Sequence, residues 1–456
     1  MTKILVLGGG PAGYVAAGRA AQLGAAVTLV EAREIGGTCL NRGCIPTKAM
    51  VAGAQRLHAA REAGAFGVRT GAVGLDFPAF MARKDAVTAQ LRDGVAHLLK
   101  ARKVEVVAGR ATLAGPGRLV LDDGRELSGD AVILASGSEP VRMGLFDWSD
   151  PRLMTSDELL VIDRVPDSLL IVGGGVIGCE FASVFARLGT EVTVVEMLDQ
   201  LLPGEDKRTG RTLQQAFKKH GIAVYVKTAV EAAVSSEAGI TVSLAGGREL
   251  SAARVLVAVG RRPLSAGMGY AEAGVGIDGR GFVVTDETCR TTLDGVFAAG
   301  DVAGPPLLAH WAYHQGMIAA ENAVTGAALE CDRSLVPNCV FSSPEVASCG
   351  LTEDAAVAAG VEHEVAQVRF NGNSKAVIEG EPDGFVRVVC APDGGRVLGA
   401  SLIGPHVTEL VHELALAVHS GLTLADVAAT IHAHPTLAES VGEAALGGMG
   451  RGVHSL

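Results

Sequence analysis

The sequence predicts an α/β protein in which one strand–helix–strand plan occurs twice and is followed by a smaller α+β domain. Three observations carry that expectation. A glycine-rich turn follows a short apolar strand at residues 3–13, and the same arrangement returns at residues 169–178. The length of 456 residues leaves room for roughly three domains of ordinary size.

In the first copy, residues 3–7 read as a buried strand that runs straight into Gly8-Gly9-Gly10-Pro11-Ala12-Gly13 and an alanine-rich helix. A second strand, residues 26–30, ends at Glu31. Glycines at 8, 10 and 13 permit a tight turn and let the backbone approach a pyrophosphate, for which a helix N-terminus supplies free N–H groups. Glu31 is placed to accept hydrogen bonds from a ribose. This is a Rossmann-like dinucleotide-binding unit.

The second copy starts from the strand at 169–172 and continues through Gly173-Gly174-Gly175-Val176-Ile177-Gly178, a helix, and a strand at 191–195 that ends at Glu196. The third glycine precedes the acid by 18 residues in both copies, 13 to 31 and 178 to 196. Each copy also has a later strand closing on a glycine, at Gly137 and Gly260. Two dinucleotides are implied, one per unit. Glu196 favours a free 2′-hydroxyl and repels a 2′-phosphate, and Met197-Leu198-Asp199-Gln200 after it contains no arginine, so NAD is expected there in preference to NADP.

Composition narrows the rest. Hydrophobic residues make up 48% of the chain and charged ones 20%, enough for a large core. Lysine plus arginine total 39 against 50 acids, a net charge of −11, and no stretch is densely basic, so nucleic acid is not an expected partner. The apolar run at residues 4–7 is too short for a signal-peptide core, and no run reaches membrane-spanning length. Eight mostly scattered cysteines do not form a secreted disulfide framework. A cytoplasmic protein without membrane insertion is expected.

Cys39 and Cys44 are the exception to that scatter. They lie in Gly36-Gly37-Thr38-Cys39-Leu40-Asn41-Arg42-Gly43-Cys44-Ile45-Pro46-Thr47-Lys48. Two cysteines at this spacing are usually just small buried residues. On a regular helix they would sit slightly too far apart and misdirected for a disulfide. Gly43 and Pro46 suggest backbone irregular enough to bring them together, and a thiolate near a helix N-terminus is stabilised for exchange. A metal site is a poor alternative, since no second cysteine pair or histidine cluster is nearby in sequence. Cys179, Cys289, Cys331, Cys339, Cys349 and Cys390 have no paired motif and read as buried small residues.

The segment GGTCLNRGCIPTK resembles the active-site segment of the pyridine-nucleotide disulfide oxidoreductases, in the CLNxGCIP form typical of the dihydrolipoamide dehydrogenases; glutathione and mercuric reductases usually show valines there. The resemblance runs along essentially the whole chain. It takes in Gly-Val-Ile-Gly-Cys-Glu180, Val-Phe-Ala-Ala-Gly-Asp301, Leu307-Leu308-Ala309-His310 and Ile431-His-Ala-His-Pro-Thr-Leu-Ala-Glu439.

The resemblance implies FAD in the first unit, with Asp301 on its ribityl chain and Lys48 and Glu180 as an ion pair near the ring. Thr38, Leu308 and Ala309 are assigned to the same site. Ala111, Ser136 and Gly137 match flavin-contacting positions with less specificity, and Val230 and Gly260 are placed with the second nucleotide. It also implies a redox-active disulfide between Cys39 and Cys44, with Cys39 towards substrate and Cys44 against the flavin. His434, oriented by Glu439, is the expected base, supplied across a homodimer interface, and His432 is expected to be a local hydrogen-bonding residue. The expected reaction is reversible oxidation of dihydrolipoyl groups with reduction of NAD. The expected partners are lipoyl-bearing proteins of 2-oxo-acid dehydrogenase or glycine-cleavage systems.

The implied architecture is an FAD-binding domain at 1–147 plus 271–335, an NAD-binding domain at 148–270, and an α+β interface (dimerisation) domain at 336–456. Crossings are expected near residues 147–167 and 265–269. Where relatives more often carry charged residues, this chain has Trp311-Ala-Tyr313-His314-Gln315, which reads as a repacked helix face. A reductase of another small disulfide would share these motifs. The chain end, Arg451-Gly-Val-His-Ser-Leu456, lacks the cysteine pair of the mercuric reductases, and an intact Cys39, Cys44, His434 and Glu439 set argues against an inactive scaffold subunit.

Overall fold

A computed structural model describes residues 1–454; Ser455 and Leu456, the end of the cysteine-free terminal segment, lie outside the described residues. The strand Lys3–Leu7 is buried along most of its length because both faces of its sheet are covered, as a continuous apolar run in a parallel sheet requires. It sits at the centre of a five-stranded sheet ordered Val296–Ala298, Ala131–Leu134, Lys3–Leu7, Ala26–Glu31, Glu105–Ala108, with every pairing parallel. The second unit repeats this plan around Ser168–Val172. Its order is Ala223–Tyr225, Glu191–Val195, Ser168–Val172, Arg254–Val257, Leu153–Met154, again all parallel.

The repetition goes further than the glycine motifs. Each unit carries a three-stranded antiparallel sheet before its closing strand. In the first it is built from Ala111–Gly115, Arg118–Leu121 and Glu126–Ser128, and in the second from Val230–Ser236, Gly239–Leu244 and Arg248–Ala252. The chain passes between the units through a two-stranded antiparallel ribbon, Ser138–Pro140 with Arg261–Pro263, shortly before the crossings expected from sequence. Phe146 beyond the ribbon is buried with Val172 and Val195 of the second unit, whereas the Met268 carbonyl accepts from Leu113 N–H of the first.

The last part of the chain is α+β. Five antiparallel strands, ordered Asn338–Val340, Glu345–Gly350, Val397–Gly404, Phe385–Cys390, Glu364–Arg369, pack with the helices Val407–Ser420, Leu424–Ala429 and Glu439–Gly448 around one core. Another apolar cluster joins all three parts. Met50 and Leu57 of the helix Cys44–Glu62 meet Phe181 and Phe185 of Val176–Leu188 and Phe385 and Ile403 of the C-terminal sheet. That cluster fixes the cysteine-bearing helix against the second nucleotide unit. Among the described residues no helix is long and apolar enough to cross a membrane.

Candidate active site

The two glycine turns have the same construction. Gly8 and Gly173 adopt φ of +107° and +111°, and a Cβ on either would lie 2.2 or 2.4 Å from a carbonyl oxygen of the closing strand's end, Ala135 or Ala258. The third glycines, Gly13 and Gly178, do not face the cavity between the units. A Cβ on them would lie 1.8 and 2.0 Å from the carbonyl oxygens of Gly8 and Gly173, so their part is close helix-to-turn packing. Glu31 accepts from Gly9 N–H (2.6 Å) and Arg33 N–H (2.7 Å), and Glu196 accepts from Gly174 N–H and Leu198 N–H (both 2.7 Å). The helices Pro11–Gln22 and Val176–Leu188 have glycine N-caps without a side-chain cap. The N–H groups of Ala12, Val176 and Ile177 therefore lack intrahelical partners and are available to an anion.

Both turns open on one cavity of about 1310 Å³. Gly8, Gly10, Ala12, Glu31, Thr38 and Lys48 line it from the first unit, with Ala111, Ser136, Gly137, Asp301, Leu308 and Ala309. From the second unit come Gly173, Gly175, Val176, Ile177, Glu180, Glu196, Val230 and Gly260. Around Glu196 the wall is Met197, Leu198, Pro203, Thr228, Ala229 and Val230, with no basic side chain.

Cys39 and Cys44 share that cavity. Cys39 sits in the short helix Gly37–Arg42, and Gly43, at φ −144° and ψ −110°, breaks the chain before Cys44 opens the helix Cys44–Glu62. Gly43 is where the two segments approach: a Cβ there would lie 3.1 Å from Thr38 O and 3.4 Å from Cys39 Cα. Pro46 rides in the first turn, where its missing N–H costs nothing. Both cysteines are free thiols, and each is the largest influence on the other's ionisation. The neighbouring Cys44 thiol and burial hold Cys39 well above the ordinary thiol range. Cys44 is held below it, first by the neighbouring Cys39 and then by the Lys48 charge, against the opposing effect of burial. Cys44 also opens the helix Cys44–Glu62, whose N-terminus favours a thiolate there.

Lys48 Nζ lies 2.7 and 2.8 Å from the two carboxylate oxygens of Glu180, which is buried. Phe341 completes the arrangement: its N–H donates to Glu180 Oε1 at 3.0 Å, and its ring lies 4.7 Å below the ammonium. The first unit, the second unit and the C-terminal sheet thus meet at one ion pair beside the thiols. Sequence reading paired Lys48 with Glu180 but missed Phe341, which acts partly through a backbone N–H that every non-proline residue carries. It also missed Arg261. That side chain donates to Ser138 Oγ at 2.8 Å, and Ser138 in turn hydrogen-bonds Asp301, so the return strand from the second unit orients an acid of the first.

His434 and Glu439 are also paired, Nδ1 to Oε1 at 2.9 Å, and Thr436 N–H donates to the other carboxylate oxygen at 2.8 Å. Those two contacts keep the Glu439 carboxyl below the ordinary carboxylate range. The His434 side chain is 70% exposed and is not part of the cavity wall that holds the cysteines. His432 is instead tucked in, with Nε2 3.0 Å from Glu413.

The segment at 311–314 packs as an aromatic face. Trp311 is buried and stacks on His314, while Tyr313 meets Tyr14 edge-on at 5.9 Å between ring centroids. Two readings of the remaining cysteines need correction. Cys339 is only half-buried and lines the cavity, because its strand runs on to Phe341 at the ion pair. Cys289 and Cys331, read as unpaired, lie with their sulfurs 3.6 Å apart, brought together by loops 42 residues apart in sequence.

Residues 2–316 match the family model described as pyridine nucleotide-disulphide oxidoreductase, and residues 336–445 match that family's dimerisation domain. The chain belongs to this family. It is built to pair with a second copy through its C-terminal part. It is 42% identical to the dihydrolipoyl dehydrogenase of Halobacterium salinarum, over 100% of this chain and 98% of that protein. It is 39% identical to a dihydrolipoyl dehydrogenase of Bacillus subtilis, over 99% and 98%. Among solved structures, LpdA from Mycobacterium tuberculosis superposes with a TM-score of 0.91 at 29% identity, covering 98% of this chain and 99% of that one. The HOCl-induced flavoprotein disulfide reductase RclA from Escherichia coli does so with 0.88 at 28%, covering 97% and 98%. The two-unit α/β fold and the α+β domain expected from the sequence agree with these matches.

Proposed function

We propose that the chain is an FAD-dependent dihydrolipoyl dehydrogenase that uses NAD. The observation that carries this reading is the Cys39–Cys44 pair at a helix N-terminus, beside the Lys48–Glu180 ion pair, in one cavity shared by two glycine turns. The uncapped helix N-termini at Gly10 and Gly175 fit two pyrophosphates, and a cavity wall beside Glu196 without a basic side chain fits NAD. In this reading Gly8, Gly10, Ala12, Glu31, Asp301 and their neighbours hold FAD, and Gly173, Gly175, Val176, Ile177, Glu196 and Val230 hold NAD. Gly13 and Gly178 support the two sites by packing. The domains divide at 1–147 with 271–335, 148–270 and 336–456, a division supported by the ribbon that joins the two units.

The exchange chemistry starts from the Cys39–Cys44 disulfide. A substrate thiol gives its proton to His434 of the partner subunit, and the resulting thiolate attacks Cys39. The S–S bond breaks and Cys44 leaves as the thiolate that Lys48 and the helix N-terminus stabilise. The second substrate thiol then attacks the substrate sulfur bound to Cys39; that S–S bond breaks, the substrate departs as the lipoyl disulfide, and Cys39 leaves as a thiol with the second proton. FAD, when bound, supplies the route by which the electron pair on the cysteines reaches NAD as hydride. Glu439 holds His434 in one tautomer, and its lowered pKa keeps it ionised across the neutral range. We place this reaction in the cytoplasm, with lipoyl-bearing proteins of 2-oxo-acid dehydrogenase or glycine-cleavage systems as partners.

Steady-state turnover of dihydrolipoamide with NAD and NADP, beside glutathione and coenzyme A disulfides with NADH and NADPH, tests the assignment. Dihydrolipoamide with NAD should give the highest kcat/KM. A higher value for another disulfide would transfer the same site to a reductase of that substrate.

A further inference from the structure

Cys289 and Cys331 form a second thiol pair that the reaction above does not use. Their sulfurs are 3.6 Å apart, both side chains are buried, and neither lines the main cavity. The backbones that carry them are already tied together. Cys331 N–H donates to Glu287 O at 2.8 Å. The buried Asn322 amide donates to Thr288 O (3.0 Å) and Leu329 O (2.9 Å) and accepts from Leu329 N–H (2.9 Å). Asp286 Oδ1 accepts the N–H groups of Thr288 and Arg290, which closes the turn around Cys289.

Within that turn Cys289 has φ +63°, a conformation that glycine or asparagine adopts at less cost than cysteine. A sulfur is therefore held in a strained position and aimed at another sulfur, inside two loops that can hardly drift apart. A disulfide needs the sulfurs at about 2.05 Å, so side-chain rotation rather than backbone movement has to supply the remaining approach.

We propose that Cys289 and Cys331 are a second redox-active dithiol, closed to a disulfide by hydrogen peroxide, which is small enough to reach a buried thiol. Cys331 attacks first, since it is the less buried of the two, 9% against 1% exposed, and is met first by a small oxidant. Its sulfur takes one peroxide oxygen, the O–O bond breaks, and the other oxygen leaves as water after protonation. Cys289 then attacks the sulfenic sulfur. The S–O bond breaks, the S–S bond forms, and the departing hydroxide leaves as water with the Cys289 proton. Two thiols lose two electrons and two protons, and one peroxide becomes two waters. The linkage would clamp the loop at residues 286–290 to the segment that leads from the helix Ala309–Thr325 into the C-terminal domain.

The test uses the full-length, FAD-loaded dimer carrying Cys39→Ser and Cys44→Ser, so that the other pair contributes nothing. After stoichiometric hydrogen peroxide, free thiols are alkylated in denaturant and the digest is mapped without reductant. The expected product is a Cys289–Cys331 linked peptide that disappears with dithiothreitol, while Cys179, Cys339, Cys349 and Cys390 remain alkylated. Adding Cys289→Ser should leave Cys331 as a sulfenic acid that dimedone traps. In the otherwise native enzyme, Cys331→Ala should keep turnover and form no link, which also shows that the fold survives. Complete alkylation of both cysteines after peroxide, or their separate conversion to sulfinic acids, would overturn the proposal. A Cys289→Ser variant with no dimedone adduct at Cys331 would overturn the order of attack.

Discussion

Cys39 and Cys44 are walled in by the helix Cys44–Glu62, the Lys48–Glu180 ion pair and two nucleotide units, whereas His434 and Glu439 of the same chain stand on its surface. Each pair is complete in its own contacts. The thiols influence one another and lie beside the Lys48 charge, and the imidazole is held by a carboxylate that Thr436 N–H anchors. Yet His434 is 70% exposed and absent from the wall around the sulfurs. One chain therefore carries two finished halves that do not meet within it. In a family whose C-terminal domain pairs two copies, the direct reading is that each half serves a site with its counterpart from the other subunit. On that reading the difference in burial has a use: the thiols lie beside the Lys48 charge, and a group offered to a partner projects.

The largest effect should come from the buried half. Cys39→Ser and Cys44→Ser should each abolish dihydrolipoamide turnover but differ in spectrum. Only Cys39→Ser, which retains the Cys44 thiolate, should show thiolate–flavin charge-transfer absorbance without reductant; identical spectra would remove the assignment of roles. The depressed Cys44 pKa sets the pH response. The thiolate is present above that pKa and is lost as pH falls through it, so in the reduced wild-type enzyme the band should persist below the ordinary thiol range near pH ~8.5. Lys48→Met removes a stabilising charge and should move its loss to higher pH.

His434→Ala comes next, with a loss of about 10²–10⁴-fold in kcat. Glu439→Gln should cost less, since a carboxamide can still accept from the imidazole, and His432→Ala should leave kcat near wild type. A His432→Ala loss equal to that of His434→Ala would show the wrong histidine was chosen.

Stability separates the partners of the ion pair. Lys48→Met leaves Glu180 buried and unpaired at a cost of about 3–5 kcal/mol. Glu180→Gln should cost less, because the Lys48 side chain is 29% exposed and can hydrate. Denaturant midpoints of the two FAD-loaded variants check the order, and the reverse order would contradict the burial argument. The smallest effect should be at the second nucleotide turn. Glu196→Gln with Met197→Arg should move cofactor preference from NAD towards NADP, read as the ratio of the two kcat/KM values. An unchanged ratio would mean that Glu196 does not meet the ribose.

Much of this arrangement was legible in the sequence because it is local. The two glycine turns and their acids each recur at one fixed spacing, and Cys39, Cys44 and Lys48 fall within one short segment, as do His434 and Glu439. What escaped depends on chain separation or on atoms without identity. Phe341 reaches Glu180 through a backbone N–H from 161 residues away, and Arg261 reaches Ser138 from 123. Cys289 and Cys331 lie in loops with no periodicity to align them, and the Asn322 contacts and the Cys331 N–H to Glu287 O bond bring them together. The Tyr14–Tyr313 contact is likewise a product of how the helices Pro11–Gln22 and Ala309–Thr325 pack.

The claim that the two halves meet between subunits is tested most directly by mixing two dead proteins. Cys44→Ser and His434→Ala subunits, differently tagged, are unfolded or dissociated together, reassembled, and the doubly tagged heterodimer is purified with FAD and assayed with dihydrolipoamide and NAD. In the heterodimer, one site joins an intact cysteine pair to an intact histidine, and the other lacks both. Turnover approaching half that of the wild-type dimer, far above either parent, is the predicted result. A confirmed heterodimer no more active than its parents would contradict the account, because every site would then be built within a single chain and would keep its defect.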